Sequence, residues 1–188
     1  MLLDLLTTYY NDLNSSTMRE LVVAVIAGYE PDSEKLGYNG FRQNTPTGPV
    51  EQCEIKPKNY RTDSTAKNPG KLNGGGSFSD YTWKRFQEDQ AETLNMLVAG
   101  FVDGLLIYIF EFSFNAPSFI SLLQTQLERR FPNGDIRGEY LRGLNFSFKH
   151  YKDAESLQTI YIAPPEKLAE AKPYITGPVF KYLEEIAG

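Results

Sequence analysis

One short segment, V-E-Q-C-E-I-K-P-K at positions 50–58, constrains the fold more than any other part of this chain. Its apolar and polar residues alternate, and side chains that alternate along a β-strand point to opposite faces of the sheet. The pattern therefore predicts a strand whose Cys53 and Ile55 side chains enter a core, while Glu54 and Lys56 share the other face.

The sequence allows two interpretations of the Glu54–Lys56 pair. A carboxylate and an ammonium group two residues apart on one strand face can hold a divalent metal and steady a phosphate or an attacking water. The same two residues can instead form an exposed cross-strand charge pair, which contributes about 0.2–1 kcal/mol. Pro57 lacks a backbone donor and is predicted to end the strand directly afterwards.

The composition excludes several kinds of metal and disulfide site. The chain has 188 residues with one cysteine and one histidine, which excludes an internal disulfide, a cysteine-based zinc cluster and a histidine-rich metal site. Acidic oxygens remain as ligands, and these favour Mg²⁺-like ions. No break in composition divides the chain, so we expect one well-packed domain over residues 1–188. The first residues lack the basic flank of a secretory signal and no apolar run is long enough to span a bilayer, which predicts a soluble cytoplasmic protein without a membrane partner.

Positive charge is concentrated in two segments, although the net charge of the chain is −5. Residues 56–85 carry seven basic side chains against two acidic ones, and residues 129–152 are also predominantly basic. The local sign of charge matters more than the total for binding a polyanion, so this distribution is compatible with a nucleic-acid-binding face. Scattered solvated charge is the alternative interpretation.

Hydrophobic periodicity and capping residues predict a mixed α/β fold in which a mixed central β-sheet is flanked by helices. A helix between the Glu54 strand and the Leu105 strand would form a right-handed crossover, which favours parallel pairing of those two strands. The hydrophobic pattern is lost over residues 59–79, which predicts a long loop that is either functional or disordered. The predicted helices cover residues 3–13, 16–28, 80–98, 117–130, a short stretch from 164 and 179–186, and the predicted strands cover 36–43, 50–57, 105–114, 144–149 and 159–163.

Glu54-Ile55-Lys56 on an apolar strand resembles the second half of the PD-(D/E)xK nuclease signature, and the chain resembles a compact type II restriction endonuclease of that superfamily. The similarity covers roughly residues 16–115: an acidic residue on a first helix, a hairpin, the Glu-x-Lys strand and a helical crossover. The resemblance implies that Glu20 is the helix acid, that Glu54 binds metal and that Lys56 orients or activates water. The block L-N-G-G-G-S-F-S-D-Y-T at 72–82 also resembles a restriction-enzyme family block.

The chain departs from the family pattern at the first acid. By position on the hairpin, the expected Asp falls on Asn39, whose carbonyl oxygen can ligate a metal but which brings no negative charge. By literal sequence, Pro31-Asp32 supplies the pair, although Pro and Asp are also common in ordinary turns. Three outcomes are open: Asp32 is the ligand, Asn39 marks a natural or engineered loss of activity, or the nuclease interpretation is wrong. The location of Asn39 on the hairpin strand beside Glu54 favours Asn39 for the catalytic position.

The function implied by the resemblance is metal-assisted hydrolysis of phosphodiester bonds in double-stranded DNA. Mg²⁺ or another divalent cation would be held by Glu54, by the neighbouring acid or amide, and by the Ile55 carbonyl, and would polarise a phosphate oxygen and activate water. The implied protein is a sequence-specific endonuclease of a restriction system that acts as a homodimer. The alternatives are a catalytically impaired nuclease-fold domain that binds DNA or protein, and an unrelated α/β enzyme or interaction protein.

The predicted loop is a second candidate interface. Its basic side chains can contact phosphates and its asparagines can read base edges, while the Gly74–Gly76 run permits close approach of the backbone to DNA. A flexible solvated loop is the alternative. The candidate DNA-binding residues are Lys58, Asn59, Arg61, Lys67, Lys71 and Asn73.

Overall fold

The computed structural model of the protein describes residues 16–32, 37–67 and 70–188, and the helix predicted over residues 3–13 lies outside them. Short 3-10 turns occupy Phe148–His150 and Lys172–Tyr174. In chain order the other elements are α1 (Ser16–Ile26), β1 (Glu30–Pro31), β2 (Gly40–Arg42), β3 (Glu51–Tyr60), β4 (Ser77–Phe78), α2 (Trp83–Ala91), β5 (Leu94–Val102), β6 (Leu105–Ser113), α3 (Pro117–Arg130), β7 (Leu144–Asn145), β8 (Gln158–Ile162), α4 (Pro165–Ala171) and α5 (Gly177–Ala187).

Six strands form one mixed sheet in the order β1-β2-β3-β5-β6-β8. The β3–β5 pair is parallel, whereas β1–β2, β2–β3, β5–β6 and β6–β8 are antiparallel. β4 and β7 form a separate two-stranded antiparallel sheet. Five α-helices flank these strands within the described residues. The predicted class, a mixed central sheet flanked by helices, is confirmed.

The two faces of the central sheet have different coverings. α1 covers one face through Val23 and Ala24, which belong to a small buried cluster with Cys53 and Ile55 of β3. The opposite face carries a larger cluster, rich in aromatic side chains, to which α2, α3, α4 and α5 all contribute. Because successive side chains of a strand alternate between faces, Glu54 lies on the aromatic-rich side.

The helix predicted over residues 80–98 is wrong in its second half. α2 ends at Ala91, and the apolar run that follows is strand β5, which has a strand on each side and is buried along most of its length. Leu94, Leu97 and Val98 fit helical spacing, but they belong to a continuous apolar run, which is the pattern of a strand at the centre of a sheet. β5 rather than β6 is therefore the parallel neighbour of β3, with α2 as the crossover between them, and β6 returns antiparallel to β5.

β3 does not end at Pro57 as predicted but continues to Tyr60. β2 pairs with Glu51–Cys53, whereas the pairing with β5 extends from Gln52 to Tyr60. Beyond Ile55, whose N–H bonds the Asn39 side chain, no strand of the described residues pairs with the β2-facing edge of β3, and proline is tolerated in a strand that has an unpaired edge.

The segment predicted as a long loop, residues 59–79, is anchored to the C-terminal part of the chain. Leu72 is fully buried; its N–H donates to the Tyr174 carbonyl and its carbonyl accepts from the Thr176 N–H. These bonds satisfy the backbone groups of a buried residue. The segment is thus partly buried and makes apolar contacts with the core.

The strand predicted over residues 36–43 comprises, among the described residues, only Gly40–Arg42 of β2, and the sequence does not predict the short strands β1 and β4. The remaining elements follow the predicted bounds closely, with one exception. The strand predicted over residues 144–149 is limited to β7, because Ser147 caps a 3-10 turn and its N–H donates to His150 Nδ1 at 3.0 Å. Among the described residues, no helix has the length and apolar character needed to cross a membrane.

Candidate functional site

Glu54 and Lys56 form the centre of the candidate site. The Lys56 ammonium lies 2.5 Å from Glu54 Oε1 and 4.9 Å from the centroid of the Phe78 ring. Glu54 is only 6 % exposed, so its charge requires a partner, which the ammonium supplies. The two side chains share the face of β3 opposite to Cys53 and Ile55, in agreement with the alternation of the sequence.

Asn39 connects the first helix to the same stretch of β3. Its side-chain Nδ2 donates to Glu20 Oε2 at 3.2 Å, and its Oδ1 accepts from the Ile55 backbone N–H at 2.6 Å. The Asn39 N–H donates to the Cys53 carbonyl at 2.8 Å, which continues the β2–β3 ladder and brings Asn39 beside Glu54. Asn39 thus links Glu20 of α1 to the Ile55 backbone, which is next to Glu54 along β3.

Asp32 lies on the other side of Asn39. It is exposed, it follows β1 directly, and its backbone N–H donates to the Asn39 carbonyl at 3.0 Å. Asn39 is therefore the inner of the two positions, since it is the one that bonds β3 directly.

α2 adds two residues that the sequence analysis did not find. Arg85 Nη2 lies 3.8 Å from Glu54 Oε1, and Arg85 Nε lies 3.9 Å from Asp89 Oδ2. Asp89 is 3 % exposed and accepts hydrogen bonds from the hydroxyls of Tyr81, at 2.6 Å, and Tyr38, at 3.0 Å. The spacing of four residues between Arg85 and Asp89 is the one signal in the sequence that could have identified them as an ion pair.

Burial raises the pKa of Asp89 above its ordinary value, and the nearby Glu54 carboxylate acts in the same direction. The hydrogen bonds from Tyr81 and Tyr38 and the charge of Arg85 oppose this shift without cancelling it. The pKa of each phenol is raised by its own burial and by Asp89, so both hydroxyls remain donors. Asp89 is therefore a carboxyl group whose ionised form is disfavoured and whose two oxygens both have protein donors.

The oxygen donors near Glu54 are partly engaged by the protein itself. Glu54 has two cationic neighbours, Lys56 and Arg85, while the side-chain oxygen of Asn39, Oδ1, accepts from the Ile55 N–H. Within the part of the chain that the structure describes, no three His, Cys, Asp or Glu side chains lie close enough together to form a metal centre. The donor atoms near Glu54 are nevertheless hard oxygens, which suit Mg²⁺ better than softer metals.

The six candidate DNA-binding residues divide into two groups. Three of them have partners within the protein. Asn59 Oδ1 accepts from the Gly104 N–H at 3.0 Å, and the Lys58 ammonium donates to the Lys71 backbone carbonyl at 2.8 Å. The backbone carbonyl of Asn73 accepts from the Phe148 N–H. Burial lowers the pKa of Lys58. The exposed group consists of Arg61, which pairs with Asp63, together with Lys67 and Lys71.

The Gly74–Gly76 run approaches the protein's own backbone rather than an open surface. A Cβ on Gly75 would lie 2.1 Å from the Phe146 carbonyl oxygen, and one on Gly76 would lie 2.7 Å from Lys56 Cβ. The interpretation that these glycines make room for DNA is therefore wrong; they allow residues 74–76 to pack against Phe146 and Lys56.

A second polar cluster lies on the α1 side of the sheet, where Arg42 of β2 contacts two carboxylates. Its Nη2 is 2.5 Å from Glu51 Oε2 and 2.8 Å from Glu111 Oε1. The Tyr29 hydroxyl donates to Glu111 Oε1 at 3.2 Å, and Asn95 Nδ2 donates to the Tyr29 oxygen at 2.9 Å. Glu111 is 5 % exposed, and its Oε2 is buried without a hydrogen-bond partner. The pairing with Arg42 accounts for a carboxylate in the middle of an apolar strand.

No family model matches this chain, and no curated protein matches it. Functional conclusions therefore depend on the geometry around Glu54 and on the physical chemistry of the residues that surround it.

Proposed function

We propose that the protein is a metal-dependent, sequence-specific double-stranded DNA endonuclease of the PD-(D/E)xK type, similar to a type II restriction enzyme. The observation that carries this proposal is that two polar pairs meet β3 at neighbouring residues: Glu54 with Lys56, and Glu20 with Asn39, which bonds the Ile55 backbone. The order of elements supports it as well: α1 with its acid, the β2–β3 hairpin, and α2 as the crossover to the parallel strand β5.

The residues present fit a Mg²⁺-like ion by the chemistry of their donors. Glu54, Glu20, the Asn39 side-chain oxygen and the Ile55 carbonyl would hold the ion, and all four are oxygen donors. When bound, a divalent cation polarises a phosphate oxygen and lowers the pKa of a bound water. Asn39 contributes no negative charge, so the site has one carboxylate fewer than the family pattern implies, and we expect weaker metal affinity.

The protein's own residues have separable roles in this proposal. Lys56 carries a positive charge beside Glu54, where it stabilises the negative charge that develops on the phosphate and on the attacking water. Asn39 fixes the Glu20 carboxylate relative to β3 through its two side-chain hydrogen bonds. The exposed Lys67 and Lys71 are the side chains of the 59–79 segment best placed to contact DNA phosphates.

A specific observation favours a second candidate, a catalytically impaired nuclease-fold domain that binds DNA or protein. Both polar atoms of the Asn39 amide are engaged by neighbours, and Glu54 is neutralised by Lys56 and Arg85. Such a site is stable without a metal. Under either candidate we propose a cytoplasmic protein that acts as a homodimer on duplex DNA and has no membrane partner.

The deciding experiment is incubation of the purified protein with phage DNA and Mg²⁺, followed by electrophoresis. The proposal predicts discrete fragments with the wild type, none in EDTA and none with Glu54→Gln or Lys56→Met. Lys181→Ala is the matched control, since its exposed pair with Glu185 on α5 belongs to neither the site nor the core. Duplex binding in Ca²⁺ without cutting in Mg²⁺ would favour the impaired domain. Neither binding nor cutting would leave an unrelated α/β protein.

A further inference from the structure

α2 positions a cation, Arg85, whose hydrogen-bonding capacity is largely unused. Its contacts to Glu54 and Asp89, at 3.8 and 3.9 Å, are within the range of ion pairs but beyond that of hydrogen bonds. Nη1 donates to the Ser79 carbonyl at 3.4 Å. A guanidinium has five N–H donors, so most of those of Arg85 have no close acceptor among the described residues.

The surroundings of Arg85 hold it at this place. The Asp135 carboxylate accepts from the first two backbone N–H groups of α2, at 2.7 and 2.8 Å, and so fixes the start of the helix. The guanidinium lies 5.4 Å from the centroid of the Tyr81 ring, and Asp89, held by Tyr81 and Tyr38, attracts it from the adjacent turn. The side chain is nevertheless 37 % exposed, so a ligand can reach it.

Two cations therefore converge on one carboxylate oxygen, Oε1 of Glu54. Lys56 contacts it directly and Arg85 approaches it from the other element, and both side chains are partly exposed. A planar guanidinium fork beside an ammonium group suits the oxygens of a phosphate, which the fork can bind through two parallel hydrogen bonds.

Resting on the proposed function, we propose that Arg85 is a substrate-binding residue that takes a phosphate group of the nucleic-acid backbone beside Glu54. The residues implied by the nuclease resemblance do not include it. On binding, the guanidinium exchanges its long contact to Glu54 for hydrogen bonds to phosphate. Glu54 then loses one of its two cationic neighbours, and phosphate and divalent cation favour each other's binding at this site.

The test uses Arg85→Ala, Arg85→Lys and, as a matched control, Lys84→Ala. Lys84 is the adjacent residue of α2 with the same charge, but its side chain is 80 % exposed and pairs with Glu88. Binding of a fluorescein-labelled duplex is measured by anisotropy in Ca²⁺ at several salt concentrations. Arg85→Ala should weaken binding on the order of tenfold or more and make the log–log salt slope shallower by about 0.9, while Arg85→Lys recovers part of the loss. Lys84→Ala should bind as the wild type does.

A second measurement separates this inference from the proposed function. The Arg85 Nε–H resonance is followed by NMR during titration of the full chain with inorganic pyrophosphate. The Arg42 Nε–H, which donates to Glu51 on the α1 side of the sheet, is the internal control. A saturable shift at Arg85 alone supports the phosphate site, even if the protein cuts no DNA. No shift at Arg85, or DNA binding and cutting by Arg85→Ala equal to those of the wild type, would overturn the inference while the nuclease proposal stood.

Discussion

The side-chain amide of Asn39 donates to the Glu20 carboxylate, with 3.2 Å between Nδ2 and Oε2, while its oxygen accepts from the Ile55 N–H. An amide suits this place because it provides one donor and one acceptor to two different neighbours. An aspartate would keep the bond to Ile55 but would direct a negative charge at Glu20. The identity of residue 39 therefore decides whether Glu20 faces a hydrogen-bond donor or a second negative charge.

Asn39→Asp should make stability dependent on divalent cations. Without metal, loss of the donor to Glu20 and like-charge repulsion should lower the unfolding free energy by about 1–3 kcal/mol. With Mg²⁺ the two carboxylates bind the same cation, so stability should return and DNA cleavage should appear or increase. Thermal unfolding in EDTA and in Mg²⁺ measures the first effect, and electrophoresis of phage DNA measures the second.

The control for this change is Asn133→Asp, which adds the same charge in an exposed turn after α3. Its melting temperature should respond to Mg²⁺ as that of the wild type does. An Asn39→Asp variant with unchanged Mg²⁺ response and activity, combined with loss of activity in Asp32→Ala, would move the metal ligand to Asp32.

Arg42 should be among the side chains whose removal costs most. Arg42→Ala leaves Glu111 buried without its cation, and breaking one side of a buried ion pair costs about 3–5 kcal/mol. Urea denaturation measures the loss. Arg61→Ala removes the same type of side chain from an exposed pair and should leave the midpoint unchanged. The double change Arg42→Met with Glu111→Met should recover much of the stability, because the buried Glu111 charge is removed and the partly exposed Glu51 keeps Asn44 and Asn95 as donors. Equal midpoints for Arg42→Ala and Arg61→Ala would exclude a stabilising role for this pair.

Part of this site could be predicted from sequence because it depends on local periodicity. Alternation along β3 is a property of the backbone, and it separated Glu54 and Lys56 from Cys53 and Ile55 correctly. The neighbourhood of Asn39 followed from the hairpin, since strands that are consecutive in the chain commonly pair with each other.

The remainder of the site depends on contacts between distant parts of the chain. Leu94, Leu97 and Val98 satisfy helical spacing as well as a buried strand, and the choice between them is made by the neighbours β3 and β6. Asp89 lies near Glu54 only when α2 packs across the sheet. No local pattern indicates that Arg42 will meet Glu111, because the two residues are on strands with β3 and β5 between them.

Gly75→Ala should be strongly destabilising. Its new Cβ would lie 2.1 Å from the Phe146 carbonyl oxygen, so the segment beside Lys56 would have to move away, and overpacking of this kind costs about 1–3 kcal/mol. Gly177→Ala is the matched control at the start of α5, where a Cβ meets nothing within 4 Å. That change should be neutral or stabilising by about 0.4–1 kcal/mol, since alanine reduces the entropy of the unfolded chain. Thermal unfolding of both variants tests the difference, and equal melting temperatures would contradict the packing described for residues 74–76.

The last prediction concerns the pH dependence of stability that arises from Asp89. Burial raises the pKa of this carboxyl group in the folded state, so the native protein binds more protons than the unfolded chain between the ordinary value of 3.8 and the raised one. The contribution of Asp89 to the unfolding free energy is therefore largest below the unfolded pKa and declines as the pH rises through the folded pKa. The charged and titratable groups that face it are Glu54, Arg85, Tyr38 and Tyr81.

Asp89→Asn removes this titration and adds only a pH-independent offset from its altered hydrogen bonds to Tyr38 and Tyr81. The unfolding free energy of the variant minus that of the wild type should consequently increase from pH 4 towards pH 8, as measured by urea denaturation at each pH. Asp63→Asn is the control with the opposite sign, because Arg61 lowers the pKa of Asp63 and so stabilises the wild type as the pH rises. A difference for Asp89→Asn that stays flat with pH would contradict the raised pKa, and one that decreases would show that the ionised form of Asp89 is favoured in the fold, with Arg85 and the tyrosine hydroxyls outweighing burial.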